Sequence, residues 1–198
     1  MDKKENNQLS SEKYEDALHF LYSFFVCYNI IGEEKSNKLE DVVYKYAPIL
    51  ENNFSEQELE NFINGIKKKI PSLKTFTERL KTLGWSNHND FYKSQKNKDR
   101  VRIVLELIEE HLSGRINFEE SSLEHILPDS QDNENALIGN IILLENRINQ
   151  NCKDKPFREK LNFYRDSNYK MARELANRYG DKEFLPQKRT DFLANINI

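Results

Sequence analysis

The residues in this chain best suited to chemistry are a histidine with an acid beside it and two asparagines downstream. His125 follows Glu124, Asn140 lies 15 residues beyond His125, and Asn149 nine beyond that. Such a set suits phosphodiester hydrolysis. That reaction needs a group to activate water in line with the scissile bond, and a neutral imidazole does this near pH 7. It also needs a divalent metal to neutralise the phosphoryl oxygens and the leaving 3′ oxygen. Magnesium takes a few oxygens plus waters and substrate phosphates rather than a cage of protein ligands. One histidine and one or two oxygen ligands on a small rigid frame therefore suffice. Taken alone, a histidine next to a glutamate is more often a solvated surface pair. The other histidines, His19, His88 and His111, read as structural or solvated, and Trp85 as the anchor of a loop.

The frame for these residues has to come from the elements around them. Ser121 to Pro128 is a short strand-like run that Pro128 must interrupt. Residues 129–135 are a polar loop, and Gly139 to Leu144 is a second short strand bounded by a turn signal. Pro156-Phe157 opens a helix through Leu161 and Tyr164; Ser167 caps another, and Pro186 starts a last one through Phe192. Two strands joined by a loop and followed by a helix make a ββα arrangement.

Everything before Gly114 reads as helix. Ser11 is the expected cap of a first, aromatic-rich helix, and a second starts near Ser36 and is disturbed or ended by Pro48. Ser55 and Glu58 form a capping box for a third, Pro71-Ser72 opens a fourth, and Val101, Val104, Leu105 and Ile108 mark the buried face of a fifth. These stripes are core. The expected architecture is α+β, mostly α: a helical platform over residues 1–114 and a ββα unit with C-terminal helices over residues 115–198.

Composition narrows the class further. With 198 residues the chain can bury a real core. Charged residues make up 32% and mean hydropathy is -0.82, so no apolar run spans a bilayer and the polar N-terminus lacks a secretory signal. Cys27 and Cys152 form no CxxC pair, which argues against a disulfide framework or a cysteine-rich zinc site and fits a reducing cytoplasm. Net charge is -3, yet residues 151–189 carry eleven Lys/Arg against six Asp/Glu, a local excess that can mark a phosphate-facing surface.

The run Glu124-His125-Ile126-Leu127-Pro128, then Gly139-Asn140-Ile141-Ile142-Leu143-Leu144, then Asn149, resembles the motif of HNH (ββα-metal, or His-Me finger) nucleases. Within that group, LEHILP, IGNIILL and KPFREK are similar to the C-terminal nuclease domain of GmrSD-type, modification-dependent restriction enzymes. The upstream NKDRVRIVLELIE resembles the helix that precedes the motif there. The resemblance implies His125 as general base, Glu124 and Asn149 as protein ligands of one Mg²⁺ or Mn²⁺, and Asn140 as a brace that orients His125. It implies Phe157 packing a helix onto the strands, and Lys160, Arg189 and Arg158 near the DNA backbone. One departure is physical: in a regular strand Glu124 and His125 point to opposite faces, so both serve one site only if the strand ends or bulges there. No cysteine pairs flank the motif, which excludes the zinc-stapled variants.

The function expected from the resemblance is metal-dependent DNA cleavage in restriction or anti-phage defence. A nucleotide-hydrolysing module, in the same chain or a partner, licenses cleavage in that family; the chain then corresponds to a split subunit or an excised domain. A catalytically inactive DNA-binding or docking module, and an RNA-directed nuclease, are the competing readings.

Overall fold

The structure is a computed structural model and describes residues 9–114, 117–153, 155–180 and 182–196. The chain divides into two compact units, residues 1–76 and 77–198.

The first unit is helical. Helix α1 (Ser11–Phe25) is capped by Ser10, one residue before the expected Ser11, whose hydroxyl accepts from the Lys13 amide. It runs on into a π-helical turn, Val26–Ile31. A 3₁₀ turn, Ser36–Leu39, leads into α2 (Glu40–Asn52). Pro48 sits inside α2 and does not end it. The carbonyl it leaves unpaired belongs to Tyr44, which is exposed, so water can take the lost bond. Helix α3 (Glu56–Lys67) starts where the capping box predicts, with Ser55 Oγ accepting from the Glu58 amide. Phe24, Tyr28, Leu39, Val42 and Ile66 form the core of this unit. Of the α1 stripe only Phe24 is fully buried, with Phe20 and Leu21 packed partly against the core; Leu18 and Phe25 are exposed, so the stripe is core along one edge and not throughout as expected.

Helix α4 (Leu73–Leu80) leads into the second unit, which also holds α5 (Gln95–Ser113). The unit boundary thus falls near residue 76 and not after Gly114. The reason is apolar: Val101, Val104, Leu105 and Ile108 of α5 are fully buried, and α5 packs on the sheet. That sheet has two antiparallel strands, β1 (Ser121–His125) and β2 (Ile141–Glu145), in a register that sets His125 opposite Ile141 and Glu124 opposite Ile142. Two strands alone are marginal in water. Here β2 is buried on both faces, Ile141 to Leu144 being at most 1% exposed, which is why it reads as a continuous apolar run rather than an alternating one.

Helix α6 (Asn146–Cys152) follows β2 directly and packs on both strands. It lies earlier than the helix the sequence signals, because it has no capping side chain and no proline to announce it. Helices α7 (Phe157–Arg165), α8 (Lys170–Tyr179) and α9 (Pro186–Leu193) complete the unit. Buried Glu109 of α5 accepts from the backbone amides of Lys170 and Met171, placing a carboxylate at the N-terminus of α8 where the helix dipole favours it. Among the described residues no helix is long and apolar enough to cross a membrane. Both cysteines are free.

Candidate active site around His125

Strand β1 ends at His125, and a close backbone contact determines what the histidine meets there. Gly84 bridges to Leu137 in antiparallel fashion, the Trp85 amide donates to the Ala136 carbonyl at 2.8 Å, and the Ile138 amide donates to Leu83 O at 2.8 Å. A Cβ on Gly84 would lie 2.2 Å from the Ala136 oxygen, so only glycine permits this approach. The result is a fixed Trp85 carbonyl, 2.9 Å from His125 Nε2. The two rings stack with centroids 5.0 Å apart, and Lys98 of α5 places its ammonium 4.7 Å from the indole centroid.

This geometry decides the proton. A backbone carbonyl only accepts, so Nε2 must carry the hydrogen. Burial is the largest influence on the imidazole and lowers its pKa below the usual 6.5; the bond to Trp85 and the charge of Asp129 oppose it without reversing the sign. At pH 7 the ring is therefore neutral, and Nδ1 holds the lone pair.

Asp129 is the carboxylate that acts on His125. Its Oδ2 accepts from Ser86 Oγ and from the Asn87 amide, both at 2.9 Å, and its Oδ1 lies 3.8 Å from His88 Nε2. Burial raises its pKa, but the Asn87 amide, His125, Ser86 and His88 outweigh that and hold the carboxyl below its usual range. Neither Trp85, Ser86 nor Asp129 stands out in the sequence as part of a site. Their available signals are a Gly-Trp pair directly before a polar loop, and an acid directly after Pro128.

Asn140 is fully buried and braces the loop between the strands. Its Oδ1 accepts from the Leu127 amide at 2.9 Å, and its Nδ2 donates to Leu127 O at 2.8 Å and Asn135 O at 2.7 Å. Its own carbonyl accepts from the Ile126 amide at 2.8 Å. The brace thus grips the two residues directly after His125.

Asn149 reaches from α6 to β1. Its Nδ2 donates to Ser122 Oγ at 2.8 Å and to Leu123 O at 3.2 Å, and neither bond uses Oδ1. Glu124 goes elsewhere. As strand alternation requires, it points away from the histidine, is 8% exposed, and its Oε1 lies 2.5 Å from Lys160 Nζ.

The cations expected at a DNA backbone divide. Lys160 is 3% exposed, tied to Glu124 and to the His125 carbonyl. Arg189 is 4% exposed; its Nη1 donates to Gly139 O and Ile141 O, and burial pushes its pKa down to about 10. Both side chains are buried inside the unit, with Arg189 Nη2 lacking a partner there, so the structure corrects the expectation that they face phosphate. Arg158 on α7 is exposed. Phe157 packs against Tyr179 and Phe184, centroids 6.4 and 5.0 Å away, joining α7 to the α8–α9 segment.

Among the described residues no group of three or more His, Cys, Asp or Glu side chains converges as a metal cage. A hard cation would need oxygen ligands beyond such a cage. Asn149 Oδ1 is a suitable oxygen, and Mg²⁺ readily completes its shell with water and phosphate. Glu124, expected as the other ligand, faces the Lys160 ammonium in this structure.

No protein of curated function matches the chain. Residues 81–196 match the family described as the C-terminal domain of GmrSD restriction endonucleases. That match covers more than half of the chain and includes Trp85, both strands, the asparagines and α6 to α9. The chain belongs to this family, and its broad class is that of a restriction endonuclease's nuclease module.

Proposed function

We propose that β1, β2 and α6 form an HNH-type finger and that the chain hydrolyses DNA phosphodiester bonds with His125 as general base. The observation that carries this reading is the tautomer. With Nε2–H donated to the Trp85 carbonyl, Nδ1 is left to take a proton from water. Asp129 favours the imidazolium formed when that proton arrives. Asn140 fixes the peptide units on which the ring is mounted. A divalent metal, when bound, supplies charge neutralisation at the phosphoryl and leaving oxygens. Asn149 Oδ1 is the side-chain oxygen that would hold it, with Mg²⁺ or Mn²⁺ as the candidates. Arg158 remains the cation for the DNA backbone among the three expected. Family membership supports DNA as substrate and a role in restriction; the reading adds a cytoplasmic setting and a nucleotide-hydrolysing module, in the same chain or a partner, that licenses cleavage.

Supercoiled plasmid tests the reading. Nicked or linear product should form with Mg²⁺ or Mn²⁺, disappear with EDTA, and return when metal is added in excess. RNA digested in parallel should survive. Undiminished cleavage in EDTA contradicts the metal, and preferential loss of RNA contradicts the substrate.

A further inference from the structure

The ammonium of Lys160 does two things in the interior. Nζ lies 2.5 Å from Glu124 Oε1 and donates to His125 O at 2.8 Å, so one cation grips consecutive residues of β1, one by its side chain and one by its backbone. A buried ammonium survives only with such a partner set, and so does the buried carboxylate. Other groups lie around the same charge. Glu124 raises the pKa of both Cys152 on α6 and Tyr164 on α7, in each case second to burial itself. A divalent cation on Glu124 would stand beside the buried ammonium, a like-charge contact in a weakly screening interior. His125 is thus held at two points: its ring by the Trp85 carbonyl and its peptide carbonyl by Lys160.

We propose that Lys160 is a positioning residue for His125, that Glu124 is its counter-ion, and that Glu124 lies outside any metal shell. This rests on His125 being the base of the proposed nuclease. Removing either charge strands the other in the interior, whereas removing both leaves an apolar pair of similar volume, which buried ion pairs generally tolerate.

The test is a double-mutant cycle in the full chain: Glu124→Leu, Lys160→Met and the two combined. Thermal unfolding without metal is the first readout. Each single variant should lose about 10 °C, and the double variant should recover to within about 4 °C of the wild type. A double variant no more stable than the weaker single one overturns the clamp. This readout does not depend on catalysis, so it judges the clamp even where no cleavage is found.

The second readout uses Glu124→Gln, which keeps the side-chain shape and is the variant least at risk of unfolding. Its Mn²⁺ concentration for half-maximal plasmid cleavage should stay within about threefold of wild type, whereas loss of a true ligand shifts it by about tenfold or more. A shift of that size overturns the exclusion of Glu124 from the metal shell. The third readout is the titration of the His125 ring by NMR in Lys160→Met. Its midpoint should move up, because a nearby cation that lowers it is gone. An unchanged midpoint overturns the positioning role.

Discussion

Plasmid cleavage by His125→Ala is expected to fall about 10²- to 10⁴-fold, the usual contribution of a positioned general base. The fold should survive, since β1 keeps its backbone pairing with β2. A matching thermal midpoint therefore accompanies the lost activity. The pH dependence follows from the same ring. The active form is the neutral imidazole, present above the pKa and lost as pH falls through it. Burial holds that pKa below 6.5, so the acid limb of the rate profile should have its midpoint below 6.5. Equal cleavage by His125→Ala and wild type removes His125 from the chemistry.

The second large effect is on folding. Asn140→Ala deletes three hydrogen bonds at a fully buried position and leaves the Leu127 amide, the Leu127 carbonyl and the Asn135 carbonyl unsatisfied. Each such orphan costs about 1–3 kcal/mol. The expected destabilisation is about 3 kcal/mol or more, a large part of the roughly 5–15 kcal/mol typical of a domain. Asn140→Asp does not rescue it, because a carboxylate cannot donate to the two carbonyls that Nδ2 serves. Urea unfolding measures this directly, and a change below about 0.5 kcal/mol shows that the brace is dispensable. Activity should fall with stability, because the brace grips the residues that follow the base.

How much of this was legible in the sequence depended on range. Some local signals hold and others do not: Ser167, read as a cap, does not cap α8, which begins at Lys170 behind Tyr169. The Ser55 cap and the burial of α5 stand where their patterns place them, and the strand-like runs expected over 121–128 and 139–144 fold as strands over 121–125 and 141–145. Pro48 does not end α2; the residue whose carbonyl loses its bond, Tyr44, lies on an exposed face of the helix. Long-range partners were not legible. The bond from His125 to Trp85 crosses 40 positions and depends on a backbone approach at Gly84, which no spacing rule encodes. The segment of residues 151–189 is basic in sequence, yet Lys160 and Arg189 point inward, because a charge count is blind to which helical face meets the core. Strand alternation, by contrast, did anticipate that Glu124 and His125 would part, and Lys160 supplies the partner that makes the inward carboxylate tolerable.

The central claim is that His125 is held neutral with its proton on Nε2, so that Nδ1 is the base. A ¹⁵N–¹H multiple-bond correlation spectrum of the labelled chain at pH 7 reports this, with His125 assigned by its disappearance in His125→Gln. The expected spectrum has a pyridine-like Nδ1 shift and a pyrrole-like, protonated Nε2. A ring protonated on Nδ1, or an imidazolium at pH 7, contradicts it.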